Sequence, residues 1–273
     1  MPRLTIVIVT YNSAGHIGGC LASLSAHPPV VSHGIVVVDN ASRDDTTTCI
    51  RKEWPEVRVI ETGRNLGFSA GNNLGIRETS SEFILLLNPD TVVPAGAVDA
   101  LVARLDCRPD VAVIGPRLFD ADRRVEVSFG SMIGPLVELR QKVLIAGHAR
   151  RVPIICAYVE HLSRHAREVD WVSGACLLVR RADAEAVGLF DERYFMYTED
   201  VDFCAAIRAK GRSVLFDAEV DVQHLRGLSR ATAQGATAVA YRRSQVTFYD
   251  KHHPSLAVLL RLYLKLRGLL PDD

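Results

Sequence analysis

The first half of the chain alternates between short apolar runs and segments whose apolar residues recur at helical spacing. The apolar runs lie at residues 4–10, 34–42, 57–62 and 82–90, and the helical spacing at residues 14–27, 44–54 and 67–80. Continuous β-branched and leucine-rich runs indicate strands buried on both faces, and their alternation with helices predicts βαβ units with right-handed crossovers. The pattern therefore predicts an α/β fold with a Rossmann-like, mainly parallel sheet flanked by helices.

The second half of the chain has a looser pattern. Residues 129–168 mix apolar and basic side chains, for which we expect helices or a mobile flap over the ligand cleft. Residues 170–181 predict another strand, residues 181–211 a mostly helical segment ending at Gly211, and residues 213–225 a late pair of strands. Residues 255–270 predict a leucine-rich helix that carries the cations Arg261, Lys265 and Arg267.

Composition and charge exclude several classes of protein. Lys plus Arg equals Asp plus Glu, at 32 residues each, so we expect no nucleic-acid partner. The six cysteines form no C-x-x-C pair and no zinc-finger spacing, which favours a reducing compartment without structural zinc. The apolar N-terminal run is short and ends without a cleavage signal, and no apolar run is long enough for a transmembrane helix. We expect a protein that is soluble, or at most peripheral.

Polar residues follow each of the four predicted parallel strands. These strand ends are Thr10-Tyr11-Asn12, Asp39-Asn40-Ala41-Ser42, Gly63-Arg64-Asn65 and Asn88-Pro89-Asp90. Parallel strands end at the same edge of a sheet, and open α/β sheets bind their ligands there. One polar strand end is an ordinary turn, whereas four at one edge predict a polar cleft.

The chemistry of the individual strand ends stays open on local pattern. The sequence contains neither the G-x-G-x-x-G motif nor the phosphate-binding P-loop. Asp39 either accepts a hydrogen bond from a base or ribose or forms an Asx turn, and Arg64 either faces a diphosphate or lies in a plain glycine-rich loop. Asp90 is either a ligand for a hard cation or an ordinary acid after Pro89.

Two further candidates lie downstream. Three acids begin a predicted helix, with Thr198 as its candidate N-cap: Glu199, Asp200 and Asp202. Acids in a first turn suit the helix dipole, so catalysis requires one of them, Asp200 by its position, to face the cleft as a base. His224 is an ordinary core or surface histidine unless Asp90 binds a metal, in which case His224 becomes a second candidate ligand.

Seven segments in this order resemble the family 2 inverting glycosyltransferases with the A-type nucleotide-sugar fold. They are VTYNSAGHIGGCLASL, VVVDNASRDDT, NLGFSAGNNLGI, LLLNPDTVV, WVSGACLLVRR, FDERYFMYTEDVDFCAAIRAKG and HLRGLS, and they span most of residues 4–230. The fifth and seventh segments resemble the rhamnosyltransferase-like branch most closely.

The resemblance implies roles for individual residues. Donor-binding residues would be Thr10, Tyr11, Asn12, Asp39, Asn40, Arg64, Asn65, Gly67, Asn72, Asn88 and Asp90, the first four at the base and ribose. Asp90 and His224 would bind Mg²⁺ or Mn²⁺, Asp200 would be the catalytic base with Glu199 beside it, and Trp171 and Gly174 would lie where sugar and acceptor meet. Asn88 stands where this family often has the first acid of its D-x-D motif, so the motif supplies only one carboxylate.

The resemblance also implies a reaction and a domain plan. A nucleoside-diphosphate sugar would be the donor, with dTDP-rhamnose as the first to test and UDP-sugars or GDP-sugars open. A saccharide or lipid-linked saccharide would be the acceptor, in cell-surface polysaccharide synthesis. Residues 1–230 would form the glycosyltransferase domain, with a nucleotide-binding half (1–115) and an acceptor and catalytic half (116–230). Residues 231–273 would form a C-terminal helical extension.

Location and alternative functions follow from the same comparison of residues. We expect a cytoplasmic protein, either free or peripheral at the inner face of the plasma membrane, and a homodimer is open. The basic segment at residues 140–167 and the leucine-rich tail fit a membrane surface. The alternative for the tail is a helix that packs in the core or in a dimer. A nucleotidyltransferase would usually show a glycine-rich basic loop after the first strand, where this chain has TYNSAG. A non-catalytic nucleotide-sugar sensor would need none of Asp90, Asp200 and His224.

Overall fold

The computed structural model describes residues 2–225 and 234–271, without the side chains of residues 234–237. Residues 226–229 of the HLRGLS segment and the predicted domain boundary at residue 230 lie outside the described residues. The strands are β1 (Leu4–Thr10), β2 (His33–Asp39), β3 (Arg58–Glu61), β4 (Phe83–Leu87), β5 (Thr91–Val92), β6 (Val111–Phe119), β7 (Phe129–Gly130), β8 (Arg167–Val169), β9 (Trp171–Val172), β10 (Cys176–Arg180) and β11 (Ser213–His224). The helices are α1 (Ala14–Ala26), α2 (Thr46–Glu53), α3 (Gly67–Arg77), α4 (Ala97–Cys107), α5 (Pro135–Ala149), α6 (Pro153–Leu162), α7 (Arg181–Ala186), α8 (Glu199–Ala209), α9 (Gln234–His252) and α10 (Pro254–Leu266).

A mainly parallel sheet forms the centre of the fold, as predicted. Its strand order is β3-β2-β1-β4-β10-β6-β11-β5, with β8 beside β11. Strands β1 to β4 are parallel to one another, and β6 is parallel to β11. Strand β10 is antiparallel to both β4 and β6, so it separates the two parallel parts. Strands β7 and β9 form a separate two-stranded sheet.

Each central strand divides its side chains between two hydrophobic cores. Ile6 and Leu85 pack with Leu21 of α1 and with α4 on one face of the sheet. Val7 and Leu86 pack on the other face, together with helices α3, α8, α9 and α10. Alternate side chains of a strand point to opposite faces, which explains the uninterrupted apolar runs of β1 and β4.

Three local predictions differ from the structure, in whole or in part. Residues 170–181 form two strands rather than one, because residues 173–175 turn the chain between β9 and β10. Residues 213–225 form one long strand with an irregularity between Asp217 and Asp221, rather than a strand pair. Thr198 occupies the N-cap position of α8, as predicted, but it has a left-handed φ of 70° and its side chain makes no capping hydrogen bond.

Residues 129–168 and the described residues from 234 onwards are mainly helical. Helices α5 and α6 confirm the helical alternative for residues 129–168, and with β7 and β8 they enclose a cavity lined by Phe129, Leu144 and Arg167. The role of residues 129–168 as a flap over the cleft stays a prediction. Helix α9 buries Phe248 and Tyr249 in the same core as α8. Among the described residues, no helix is long and apolar enough to cross a membrane.

Candidate active site

The ends of β1 and β2 are joined through the carboxylate of Asp39. The Thr10 hydroxyl donates to Asp39 Oδ1 at 2.8 Å, and the Ser42 hydroxyl donates to the same oxygen at 2.6 Å. The Ser42 backbone N–H donates to Oδ2 at 2.9 Å. Asp39 is buried, so these donors hold it at the end of its strand. The turn foreseen for Asp39 is therefore present, and it fixes the carboxylate that the resemblance assigns to the base and ribose.

The loop after β1 presents an aromatic ring to solvent. Tyr11 is 46% exposed, which leaves a ring face available for stacking on a base. Asn12 has a left-handed φ of 51°, and its Oδ1 accepts the backbone N–H of Arg43 at 2.8 Å. The first two strand-end loops are thus connected on both sides of Tyr11.

Asparagine side chains shape the loop after β3. Asn40 Nδ2 donates to the Gly67 carbonyl at 2.9 Å, and Asn65 Oδ1 accepts the Gly67 N–H at 2.9 Å. Gly67 has a φ of 83°, and a Cβ there would overlap the carbonyl of Phe195. The Phe68 N–H donates to that same carbonyl at 2.7 Å. Only glycine fits at Gly67, since both the backbone angle and the close approach exclude a side chain.

Two residues of this segment that are candidates for binding the sugar donor, Asn72 and Arg64, have different environments. Asn72 is 1% exposed and donates to the Phe68 carbonyl within α3, so it supports the loop from inside. Arg64 is exposed at the start of the loop. Of the two, Arg64 is the side chain that can reach a diphosphate without rearrangement.

The tertiary structure brings Asp90 and His224 together at the end of β4. His224 Nε2 lies 3.2 Å from Asp90 Oδ1 and 3.4 Å from Asn88 Nδ2. The backbone supports this contact, because β5 pairs with the end of β11 and the Leu225 N–H donates to the Asp90 carbonyl at 2.8 Å. The candidate metal residues are therefore neighbours although they are far apart in the chain.

A second acid, Glu126, completes this cluster. Its Oε2 lies 3.1 Å from His224 Nδ1, and its side chain is buried. Burial lowers the pKa of His224, but its bonds to Asp90 and Glu126 outweigh burial and raise that pKa to about 9. Burial similarly acts to raise the pKa of Asp90, and the hydrogen bond and charge of His224 reverse the effect and hold it below its usual value. Sequence patterns gave no signal for Glu126, which lies in an irregular segment between β6 and β7.

The donor set at Asp90 and His224 fits a divalent cation. Two ligands at right angles on one cation, with bonds of about 2.1 Å, lie about 3 Å apart, close to the separation seen here. Glu126 accepts from the second ring nitrogen, which is the usual arrangement behind a metal-binding histidine. Among the described residues no group of three or more His, Cys, Asp or Glu side chains could hold a metal. The protein would therefore supply two ligands and a bound diphosphate the others.

Asp200 lies in the first turn of α8 and is oriented by backbone donors. The Gly174 N–H donates to Asp200 Oδ2 at 2.9 Å, and the Val201 N–H donates to Oδ1 at 2.8 Å. Asp200 is half-buried, whereas its neighbour Glu199 is buried. Burial, with the charge of Asp200, raises the pKa of Glu199 well above its usual value. Burial therefore favours the protonated form of Glu199.

The turn at residues 173–175 connects the base to the other two parts of the site. The Asn88 N–H donates to the Ala175 carbonyl at 2.9 Å, which ties this turn to the Asp90 segment. A Cβ on Gly174 would lie 3.3 Å from the Phe68 ring, so the donor loop also reaches it. The candidate base Asp200, the segment of Asp90 and the Phe68 ring therefore meet around one turn.

Trp171 lies in β9, two residues before this turn in the chain. Its ring is 5% exposed, and its indole N–H donates to the Ser131 carbonyl at 3.0 Å. The ring is therefore not presented to a sugar in this conformation, which differs from the role that the resemblance implies. Tyr197 and Thr198 both have left-handed φ angles directly before the base. Such strained backbone is held only by surrounding contacts and concentrates at functional sites.

Comparison with known proteins identifies the family of this chain. The family model described as Glycosyl transferase family 2 matches residues 5–153. The N-acetylglucosaminyl-diphospho-decaprenol L-rhamnosyltransferase of Mycobacterium tuberculosis is 31% identical over 264 residues, which cover 92% of this chain and 85% of that protein. The rhamnosyltransferase WbbL of Escherichia coli K12 is 23% identical over 218 residues, covering 76% of this chain and 77% of the relative.

Solved structures share the fold at lower identity. GalNAc-T7 with UDP, GalNAc and Mn²⁺ superimposes with a TM-score of 0.64 and 16% identity, over 90% of this chain and 48% of that protein. The mannosyltransferase PcManGT from Pyrobaculum calidifontis, with GDP-Man and Mn²⁺, gives a TM-score of 0.63 and 18% identity, over 95% and 68%. The predicted A-type fold with a helical C-terminal region is thereby confirmed.

Proposed function

The chain belongs to glycosyl transferase family 2, and from that premise we propose that it transfers L-rhamnose from dTDP-rhamnose to a lipid-linked N-acetylglucosaminyl diphosphate. The relative from Mycobacterium tuberculosis, similar over 92% of this chain, supports both the sugar and the acceptor. The observation that carries the reaction type is the turn at residues 173–175, which joins the Asp200 carboxylate to the Asp90 segment. The product would enter cell-surface polysaccharide synthesis.

Donor binding would use the joined strand ends. Tyr11 would stack on the base, while Asp39, held by Thr10 and Ser42, would accept hydrogen bonds from base or ribose. Asn40 and Asn65 would keep the loop at Gly67 in place. Asp90 and His224 would hold Mg²⁺ or Mn²⁺, which when bound neutralises charge on the leaving diphosphate.

Asp200 would act as the general base of an inverting displacement. Its carboxylate takes the proton of the acceptor hydroxyl as that oxygen bonds to the anomeric carbon. The bond from the anomeric carbon to the diphosphate breaks, and its electron pair leaves with the nucleoside diphosphate. The Gly174 N–H donates to Asp200 Oδ2 and so keeps the carboxylate oriented. The raised pKa of Glu199 disfavours a second negative charge next to the base.

Substitution of Asp200 tests this function. Asp200→Asn keeps the size of the side chain and removes the basic oxygen, so transfer from dTDP-rhamnose should be abolished. Donor binding, measured by thermal shift with Mn²⁺, should survive because the candidate donor-binding residues lie at the ends of β1 to β4 and in the segments after them, whereas Asp200 lies in α8. Turnover retained by Asp200→Asn would exclude it as the base.

A donor screen tests the substrate and separates the alternatives. We expect dTDP-rhamnose to shift the melting temperature more than UDP-sugars or GDP-sugars. A stronger shift by one of those sugars would change the proposed donor and leave the proposed reaction in place. Slow donor hydrolysis without acceptor is expected of a transferase. A nucleotide-sugar sensor would bind without hydrolysis, and a nucleotidyltransferase would instead consume sugar phosphate and nucleoside triphosphate. We propose that the enzyme works in the cytoplasm at the inner face of the plasma membrane.

A further inference from the structure

Helix α10 is apolar on two opposite sides. Ala257 is 3% exposed and joins the core with Leu256 and Leu260, and Leu264 is 0% exposed. The outer side consists of residues spaced along one helical stripe, each at least half exposed: Val258, Leu259, Leu262 and Leu266. An amphipathic surface helix would carry polar residues there. The core-packing role expected for the tail thus accounts for only one side, and the outer stripe has the character of a contact surface.

The charge along this helix has one sign. Residues 254–271 contain three cations, Arg261, Lys265 and Arg267, and no Asp or Glu. Arg261 pairs with Asp250 of the preceding helix. Within the described parts of the chain, Lys265 and Arg267 form no ion pair, and both are exposed. The helix therefore presents leucines with uncompensated positive charge beside them.

We propose that α10 docks on an anionic lipid bilayer, with its outer leucines at the boundary between headgroups and acyl chains. Lys265 and Arg267 would lie among anionic headgroups, and Tyr263, 53% exposed, would lie at the interface that tyrosine favours. A second copy of the chain fits this surface less well. Two such helices paired antiparallel about Leu262 would bring Arg261 and Lys265 close to the same cations of the partner.

Docking there would orient the active site as well. Helix α10 follows α9, whose Lys251 and His252 bind Asp202 at 2.8 and 2.6 Å. Asp202 is buried and lies two residues after Asp200 on α8. The docking helix is therefore anchored to the element that carries the base. The inference rests on the proposed function, since a lipid-linked acceptor is the reason to hold the base at a bilayer.

Vesicle co-sedimentation with the full chain tests the surface. We expect binding to vesicles of phosphatidylcholine with phosphatidylglycerol, and weaker binding at high salt or without the anionic lipid. Lys265→Gln with Arg267→Gln should weaken binding roughly 30-fold, from about 1 kcal/mol for each cation near an anionic surface. The triple change of Leu259, Leu262 and Leu266 to Gln should abolish it. Val30→Gln is the matched control, because Val30 is 93% exposed on a remote loop.

Independent readouts separate this surface from the reaction. All variants should keep their thermal shift with dTDP-rhamnose and their transfer to a short water-soluble acceptor. Transfer without any vesicle binding would overturn the docking surface and leave the function intact. Vesicle binding without transfer to any acceptor would overturn the function instead. A dimer in light scattering that the triple change dissociates, with no vesicle binding, would make the stripe a subunit interface and also overturn the proposal.

Discussion

The change Glu126→Gln would test whether the acid behind His224 controls metal binding. Glutamine keeps the length and shape of the side chain but removes its charge, and its amide can still contact the ring nitrogen. Glu126 Oε2 lies 3.1 Å from His224 Nδ1, so the carboxylate requires the proton to be on that nitrogen. Metal binding at Nε2 then requires loss of the other ring proton, and a charged neighbour makes the ring a stronger ligand.

The size of the effect follows from the burial of this pair. Loss of a partner behind a metal ligand typically weakens metal affinity 10- to 100-fold, which corresponds to about 1.4–2.7 kcal/mol. The side chains of His224 and Glu126 are each only 7% exposed, so water cannot replace the lost charge. We therefore expect the upper part of that range. The nucleotide-binding loops do not involve Glu126 and should bind dTDP alone as before.

Titration with Mn²⁺ in the presence of dTDP, followed by electron paramagnetic resonance, measures this affinity without catalysis. Asp122→Asn is the matched control, because it removes the same charge from the exposed turn just before Glu126. The control should bind Mn²⁺ like the unchanged protein. If Glu126→Gln does so too while its fold is intact, the carboxylate does not support His224 as a metal ligand and the reasoning fails.

Three further changes test other parts of the site. Gly67→Ala should lower the free energy of unfolding in denaturant melts clearly more than Gly63→Ala does. At Gly63 only the left-handed φ costs stability, about 1–2 kcal/mol, because the surroundings are open. Equal losses in the two variants would argue against the close contact at Gly67. The stability of Glu199→Gln relative to the unchanged protein should increase as pH rises above about 4.5, because a carboxyl whose pKa is raised in the folded state loses its stabilising contribution with rising pH. A difference that stays constant across pH would contradict the raised pKa of Glu199. Asp202→Asn should lower the free energy of unfolding in urea melts by roughly 2–3 kcal/mol. This is less than for a fully buried ion pair, because the side chain of Lys251 is 32% exposed. A loss under about 1 kcal/mol would mean that this contact does not anchor α9.

The apolar pattern by itself determined the sheet and the edge at which the site lies. Strand β1 has the bounds that its β-branched run predicts, and β4 ends at Leu87, just before Asn88. A run buried on both faces can be satisfied only inside a covered sheet, so local sequence was sufficient. The polar strand ends followed, because parallel strands must end at one edge. Asp90, His224 and Asp200 could be singled out by position and by resemblance, whereas Glu126 could not.

Only the tertiary structure decided which polar groups meet. Strand β10 is as apolar as its neighbours, and periodicity does not encode direction, so its antiparallel insertion was invisible in the sequence. That insertion sets the turn that joins Asp200 to the end of β4. Glu126 meets His224 across 98 residues, a contact that no local pattern announces. The same limit applies to α10, where sequence showed leucines all round and only packing showed which of them stay exposed. Periodicity reports which side chains avoid water, whereas the pairing of remote polar groups depends on where the whole chain folds.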